Sequence, residues 1–183
     1  MKTPDEAGPA DPARLFLALW PDAPACAAIA AWQAACAWPA GARLVPRAHL
    51  HVTLHFLGAV PRARIAQLGA ALAGPVEPVA LVLSKAALWH GGIAVLEPDA
   101  VPPALAALHA RLGTVLARLG LPPETRAYRP HVTLARQAGG ATLVASDEPP
   151  TWTARGVALV ESAGGRYETL PRPPRHAGSA AGA

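Results

Sequence analysis

The tetrapeptide His-Val-Thr-Leu occurs at His51–Leu54 and returns 80 residues on, at His131–Leu134. Along a strand, side chains alternate between faces, so a His and a Thr two apart point the same way. Val and Leu point the other way, into a core. Each copy therefore specifies a strand backed by apolar packing, with an imidazole and a hydroxyl on its other face. Around the first copy the alternation runs further. His49, His51, Thr53 and His55 share one parity, and Leu50, Val52, Leu54 and Phe56 the other. Any half-exposed strand can carry one His-x-Thr. Its recurrence on a second predicted strand points to two like strands facing one cleft.

The surrounding pattern alternates helices with strands. Arg14–Trp20, apolar and closed by Pro21, is predicted as a buried strand. Asp22 as N-cap and Pro24 in the first turn open a helix to about Ala37, stopped by Pro39 and Gly41. A short strand at Arg43–Val45 precedes the strand His49–Leu57. Next come a helix over Pro61–Ala73 and strands at Val79–Trp89 and Ile93–Leu96, joined across His90-Gly91-Gly92. Pro102-Pro103 opens the longest helix, which runs to Leu119 and is capped by Gly120. The Pro-rich loop Leu121–Pro130 leads into the second His-Val-Thr-Leu strand. Strands at Thr142–Ala145, Trp152–Glu161 and Arg166–Leu170 follow, the last two paired across Ala163-Gly164-Gly165. An α+β domain over residues 13–172 follows from this order. Residues 1–12 and 173–183 are read as disordered tails.

Composition narrows the setting. The chain has 183 residues, enough for one domain with its own core. Its apolar fraction of 52% owes much to Ala, and no run reaches the roughly 18 residues of a membrane span. Met1–Pro12 lacks the apolar stretch of a signal peptide, so a soluble, cytoplasmic protein is expected. Cys26 and Cys36 fall in one predicted helix, about 15 Å apart at 1.5 Å per residue, too far for a disulfide. They are read as small apolar residues. The net charge of +4 comes from 16 basic against 12 acidic residues, all the basic ones but Lys2 and Lys85 being Arg. Arg suits bidentate phosphate recognition, and a basic balance favours polyanionic partners.

Three chemistries compete for the motifs. Histidines on one strand face can chelate zinc, but no Cys or acidic residue accompanies either copy, and the second has a single His. There is no Gly-x-Ser-x-Gly elbow and no Walker-type phosphate loop. Acid–base chemistry suits the residue types directly. Imidazole titrates near pH 6.5, so one ring can be neutral while the other is protonated. Opening a phosphodiester with water needs both a base and an acid. Hydroxyls and Arg can hold the phosphoryl oxygens.

The paired motif resembles that of the two-histidine (2H) phosphoesterase superfamily. Its flanks are similar to the RNA 2′,3′-cyclic phosphodiesterases, also called 2′-5′ RNA ligases. Arg14–Leu19, Leu50–Gly58 and Arg129–Arg136 carry the match. The resemblance implies a bilobed α+β fold, with two antiparallel sheets lining a central groove and helices outside. It implies His51 as the acid protonating the departing 3′ oxygen and His131 as the base activating water, leaving a 2′-phosphomonoester. Thr53 and Thr133 would bind the phosphate with Arg136 beside them, and Phe56 would lie near the nucleoside. The implied partner is RNA or an oligonucleotide ending in a 2′,3′-cyclic phosphate, acted on by a monomer without metal or cofactor. Phe56 and Arg136, however, fall on the core-facing parity of their strands. Among the other candidates, His49 and His55 share the motif face, Tyr128 and Arg129 precede the second copy, and His90 sits in a turn. His109 and His176 are given no role. An RNA-end-binding module without catalysis, a 2′,5′-linked or cyclic ADP-ribose phosphate substrate, and reverse ligation remain open.

Overall fold

The computed structural model describes residues 12–121 and 124–171. Of the two expected tails, only Pro12 lies among them, as the first residue of a strand; the rest, His176 included, falls outside. Strand β1 (Pro12–Leu19) is followed by α1 (Ala23–Ala35), β2 (Arg43–Leu44) and β3 (Val52–Pro61). Then come α2 (Ile65–Ala71), β4 (Val79–Val82), β5 (Lys85–Trp89), β6 (Ile93–Glu97) and α3 (Pro103–Arg118). Strands β7 (Val132–Arg136), β8 (Thr151–Ala154), β9 (Ala158–Ala163) and β10 (Arg166–Thr169) complete the order.

The antiparallel strands form two lobes. One runs β10-β9-β1-β3 and the other β7-β6-β5, and the two meet where β3 pairs with β7 at the single rung Val52–Val132. This rung joins the Val of one motif to the Val of the other, so both copies sit at the seam. Beyond it β3 diverges, and β2 takes over the same edge of β7 through Leu44–Ala135 and Arg43–Arg136. The α+β, bilobed arrangement is the one expected.

Local chemistry explains the elements. Asp22 caps α1 by accepting from the Ala25 amide at 2.9 Å, with Pro24 in the first turn. In α3 the buried side chains Leu105, Leu108, Leu112 and Leu116 recur at helical spacing, giving one apolar stripe. Gly120, at φ +71°, ends it as the left-handed residue a helix terminus favours. Strand β1 is buried on both sides: Leu15, Leu17 and Leu19 enter the main core, while Phe16 and Ala18 form a small cluster with Val160. That is why its sequence reads as a continuous apolar run. Cys36 is buried, Cys26 is half-buried, and both are free thiols.

Four expected elements differ. Pro61 adopts an extended conformation that closes β3, and a 3-10 turn over Arg62–Arg64 precedes a helix of only seven residues. The apolar run Val79–Trp89 divides after Val82: β4 pairs with β8 in a separate two-stranded sheet, while β5 pairs with β6. Trp152–Glu161 divides likewise around Gly156 into β8 and β9. Thr142–Ala145 forms no strand, only a bridge to Ala37, and is pinned by the Trp32 indole donating to the Val144 carbonyl at 2.8 Å. In each divided run, pairing with distant strands sets the boundary, which periodicity along the chain does not register. Among the described residues, no helix is long and apolar enough to cross a membrane.

Candidate active site

Each motif strand carries a bulge at its leucine. In the pairing with β1, Thr53 faces Ala18 and His55 faces Leu17, so Leu54 has no partner. In the pairing with β6, Thr133 faces Val95 and Ala135 faces Ala94, so Leu134 has none. An extra residue in one strand exchanges the faces beyond it. His55 accordingly turns inward and is 4% exposed, whereas Phe56 turns outward at 58%. Ala135 is buried and Arg136 exposed in the same way. The expected place of His55 on the motif face is thus corrected, and so is the core-facing parity of Phe56 and Arg136. The repeat continues structurally for two residues past its four letters.

Helix side chains serve both bulges. The Leu134 carbonyl accepts from the Val45 amide at 2.8 Å and from the Gln33 side-chain amide of α1 at 2.7 Å. The Leu54 carbonyl bonds the His109 imidazole of α3. His109, without a role in the sequence, thus supports the first motif from behind.

The six sequence candidates come together. His51, Thr53, Phe56, His131, Thr133 and Arg136 all line one cavity of about 360 Å³ at the seam. The two imidazoles are held alike. His51 Nδ1–H donates to the His49 carbonyl at 2.6 Å, and His131 Nδ1–H to the Arg129 carbonyl at 2.7 Å, each two residues upstream. With the proton fixed on Nδ1, a neutral ring presents its Nε2 lone pair. In His51 that lone pair receives the Thr53 hydroxyl at 3.0 Å. Burial pushes both imidazoles below the usual histidine value, and the two carbonyls oppose it. Weaker effects differ between them. His131, His49 and Arg136 further disfavour a proton on His51, whereas Glu97 favours one on His131 against Arg129 and Arg136.

The profile of the 2′-5′ RNA ligase superfamily matches residues 21–166. The chain belongs to this family, the 2H phosphoesterases. The crystal structure of E. coli LigT in apo form aligns at 30% identity and a TM-score of 0.74, over 88% of this chain and 96% of that one. A structure described as a phosphoesterase aligns at 29% and 0.75, over 88% and 97%. E. coli LigT complexed with 3′-AMP gives 29% and 0.73, over 88% and 97%. No curated protein sequence matches the chain.

Around this 2H pair lies an aromatic shell that the sequence did not single out. Trp20 stacks on His51 with ring centroids 5.0 Å apart, Phe16 lies at 5.1 Å, and Tyr167 meets it edge-on at 5.4 Å. Trp89 packs on His131 at 4.3 Å. The Arg129 guanidinium lies over the Trp89 ring, 4.2 Å from its centroid. Glu97 ties the group together, accepting from Arg129 at 3.1 Å and from the Trp89 indole at 3.2 Å, with Lys85 at 3.8 Å. The available signal was parity along the hairpin: Lys85 lies opposite Glu97 across β5 and β6, and Trp89 shares the face of Lys85 four residues on.

The remaining histidines separate by location. His49 lines the cavity with its ring 4.5 Å from Tyr167, and His90 is exposed in its turn. His55, His109 and Tyr128 form a stack with centroid spacings of 4.0 and 3.9 Å. Tyr128 also donates to the Thr53 carbonyl at 3.3 Å, tying the loop before the second motif to the first. Burial lowers the pKa of His55 and, reinforced by His55, lowers that of His109 to about 4. Between about pH 6.5 and 4 the unfolded chain then binds protons that the folded chain refuses. Stability contributed by this stack is present above pH 6.5 and is lost as pH falls through 4. The urea midpoint should fall over this window, and His109→Gln should flatten the fall. An equally steep dependence in that variant would show that the stack does not cause it.

Proposed function

We propose that this protein hydrolyses 2′,3′-cyclic phosphates at RNA ends or on nucleotides to 2′-phosphomonoesters, without a metal ion. One observation carries the reading: two imidazoles, each with Nδ1 held by the carbonyl two residues upstream, share one cavity with two threonines and Arg136. Membership of a family of phosphoesterases and ligases supports it, as does the nucleotide held by E. coli LigT in its 3′-AMP complex.

His131 Nε2 takes a proton from water as the oxygen bonds to phosphorus. The P–O3′ bond breaks, and His51 Nε2–H gives its proton to the departing O3′. The product carries a 2′-phosphate and a free 3′-hydroxyl. Of the charges acting on the two rings, the sole negative one among the described residues is Glu97, which acts on His131. His131 is thereby the better base, and His51, with cations around it, the better acid. Protonating His51 also turns its Nε2 into a donor, which frees the Thr53 hydroxyl to donate to a phosphoryl oxygen. Thr133 and Arg136 add donors where charge accumulates. Phe56 provides a face for the nucleoside beside a second cavity of about 340 Å³, shared with Thr53, Trp89, Tyr128 and His131.

Incubating the protein and a chelator with RNA ending in a 2′,3′-cyclic phosphate should yield the 2′-monoester. Formation of the 3′-monoester, or no turnover until metal is restored, would refute the assignment. The pH profile provides a second check. Turnover needs one ring protonated and one neutral, and both pKa values lie below the usual one, so kcat/KM should trace a bell centred below pH 6.5. A rate still rising at pH 8 would contradict it.

A further inference from the structure

Phe56 and Arg136 occupy the same place in the two motifs, three residues past the threonine and two past the bulge. The shared cavity is therefore aromatic at one such position and cationic at the other. Arg136 is not alone there. Arg43 of β2 lies directly opposite it in the antiparallel register, so both side chains leave the same face. Val45, two residues on from Arg43, lines the cavity as Arg136 does, which places Arg43 on the cavity face by strand alternation. Two guanidinium groups directly opposed on neighbouring strands repel each other. Other cations near the two lobes do have carboxylate partners: Arg62 with Glu161, Arg129 and Lys85 with Glu97, Arg126 with Glu124. Among the described residues, neither the Arg43 nor the Arg136 side chain has an ion pair or a hydrogen bond. An anion between them removes the repulsion and gains charge-assisted hydrogen bonds from both.

We propose that Arg43 and Arg136 form a second phosphate subsite, which takes an internucleotide phosphate neighbouring the scissile one and makes an oligonucleotide end the preferred substrate. This rests on the cyclic phosphodiesterase reading. Along β7, three residues cover about 10 Å at 3.3 Å each, so the Arg43 rung lies outward of the threonines that hold the scissile group. Arg136 can reach toward either phosphate, whereas Arg43 serves the outer one. Arg43 is exposed and takes no part in the proton transfers.

Binding of stable product-like ligands tests this independently of turnover. The probes are adenosine 2′-phosphate, adenosine 2′,5′-bisphosphate and adenylyl-adenosine 2′-phosphate. Arg43→Ala should weaken the dinucleotide about ten- to hundredfold, the loss of one hydrogen bond between charged groups. It should leave adenosine 2′-phosphate and the turnover of adenosine 2′,3′-cyclic phosphate unchanged, and Arg43→Lys should restore part of the loss. A loss confined to the bisphosphate would replace the internucleotide phosphate with a terminal one and overturn the oligonucleotide preference. Equal weakening of all three ligands, or of none, overturns the subsite. If the wild-type protein binds in the expected pattern but turns over no cyclic phosphate, the hydrolase reading fails and the subsite stands.

Discussion

His51→Ala and His131→Ala should each lower turnover of a 2′,3′-cyclic phosphate by about 10²- to 10⁴-fold, the usual worth of a positioned acid or base. Each ring lines the cavity without filling the core, so both variants should remain folded. The double variant should be little worse than either single one, because acid and base act in one concerted event and their losses do not add. His49→Ala is the informative control. Its backbone carbonyl holds His51 Nδ1, and that carbonyl survives truncation of the side chain. Activity close to wild type is expected there, with a modest cost for the lost contact to Tyr167. Near-normal rates in either motif variant would remove the acid–base pair. A loss at His49 as deep as at His51 would mean that the cavity contains a third working imidazole.

The sequence was most informative where one strand's alternation decides the outcome, and least where partners decide it. His51, Thr53, His131 and Thr133 precede the bulges, and their parity alone assigned them to a common face. Phe56 and Arg136 come after the bulges. Nothing in Leu-His-Phe or Leu-Ala-Arg marks an extra residue, because the bulge exists only relative to β1 and β6. The same limit applied to Val79–Trp89, where one apolar run serves two sheets. Trp20, Trp89 and Tyr167 reach the histidines from places far apart in sequence, and no spacing rule relates them. Resemblance to the family placed Phe56 and Arg136 at the site despite their parity. The geometry supplies the physical reason that parity was misleading.

Leu134→Ala should cost about 2–5 kcal/mol, the range for truncating a buried leucine. Leu134 is fully buried at the second bulge, and a domain's stability of about 5–15 kcal/mol leaves little margin for that loss. The urea midpoint should fall with the slope unchanged. Gln33→Ala separates packing from direction at the same place. It leaves the leucine in the core and removes the amide that bonds the Leu134 and Val45 carbonyls, at 2.7 and 3.0 Å. A loss of about 1 kcal/mol is expected, because the Leu134 carbonyl keeps the Val45 amide and only the half-buried Val45 carbonyl loses its side-chain donor. Because the bulge turns Arg136 toward the cavity, Gln33→Ala should also raise KM for a cyclic phosphate although Gln33 itself lies outside the cavity lining. If stability falls and KM does not move, the amide braces the sheet but does not aim Arg136. In that case the pairing with β6 alone sets the turn of the strand.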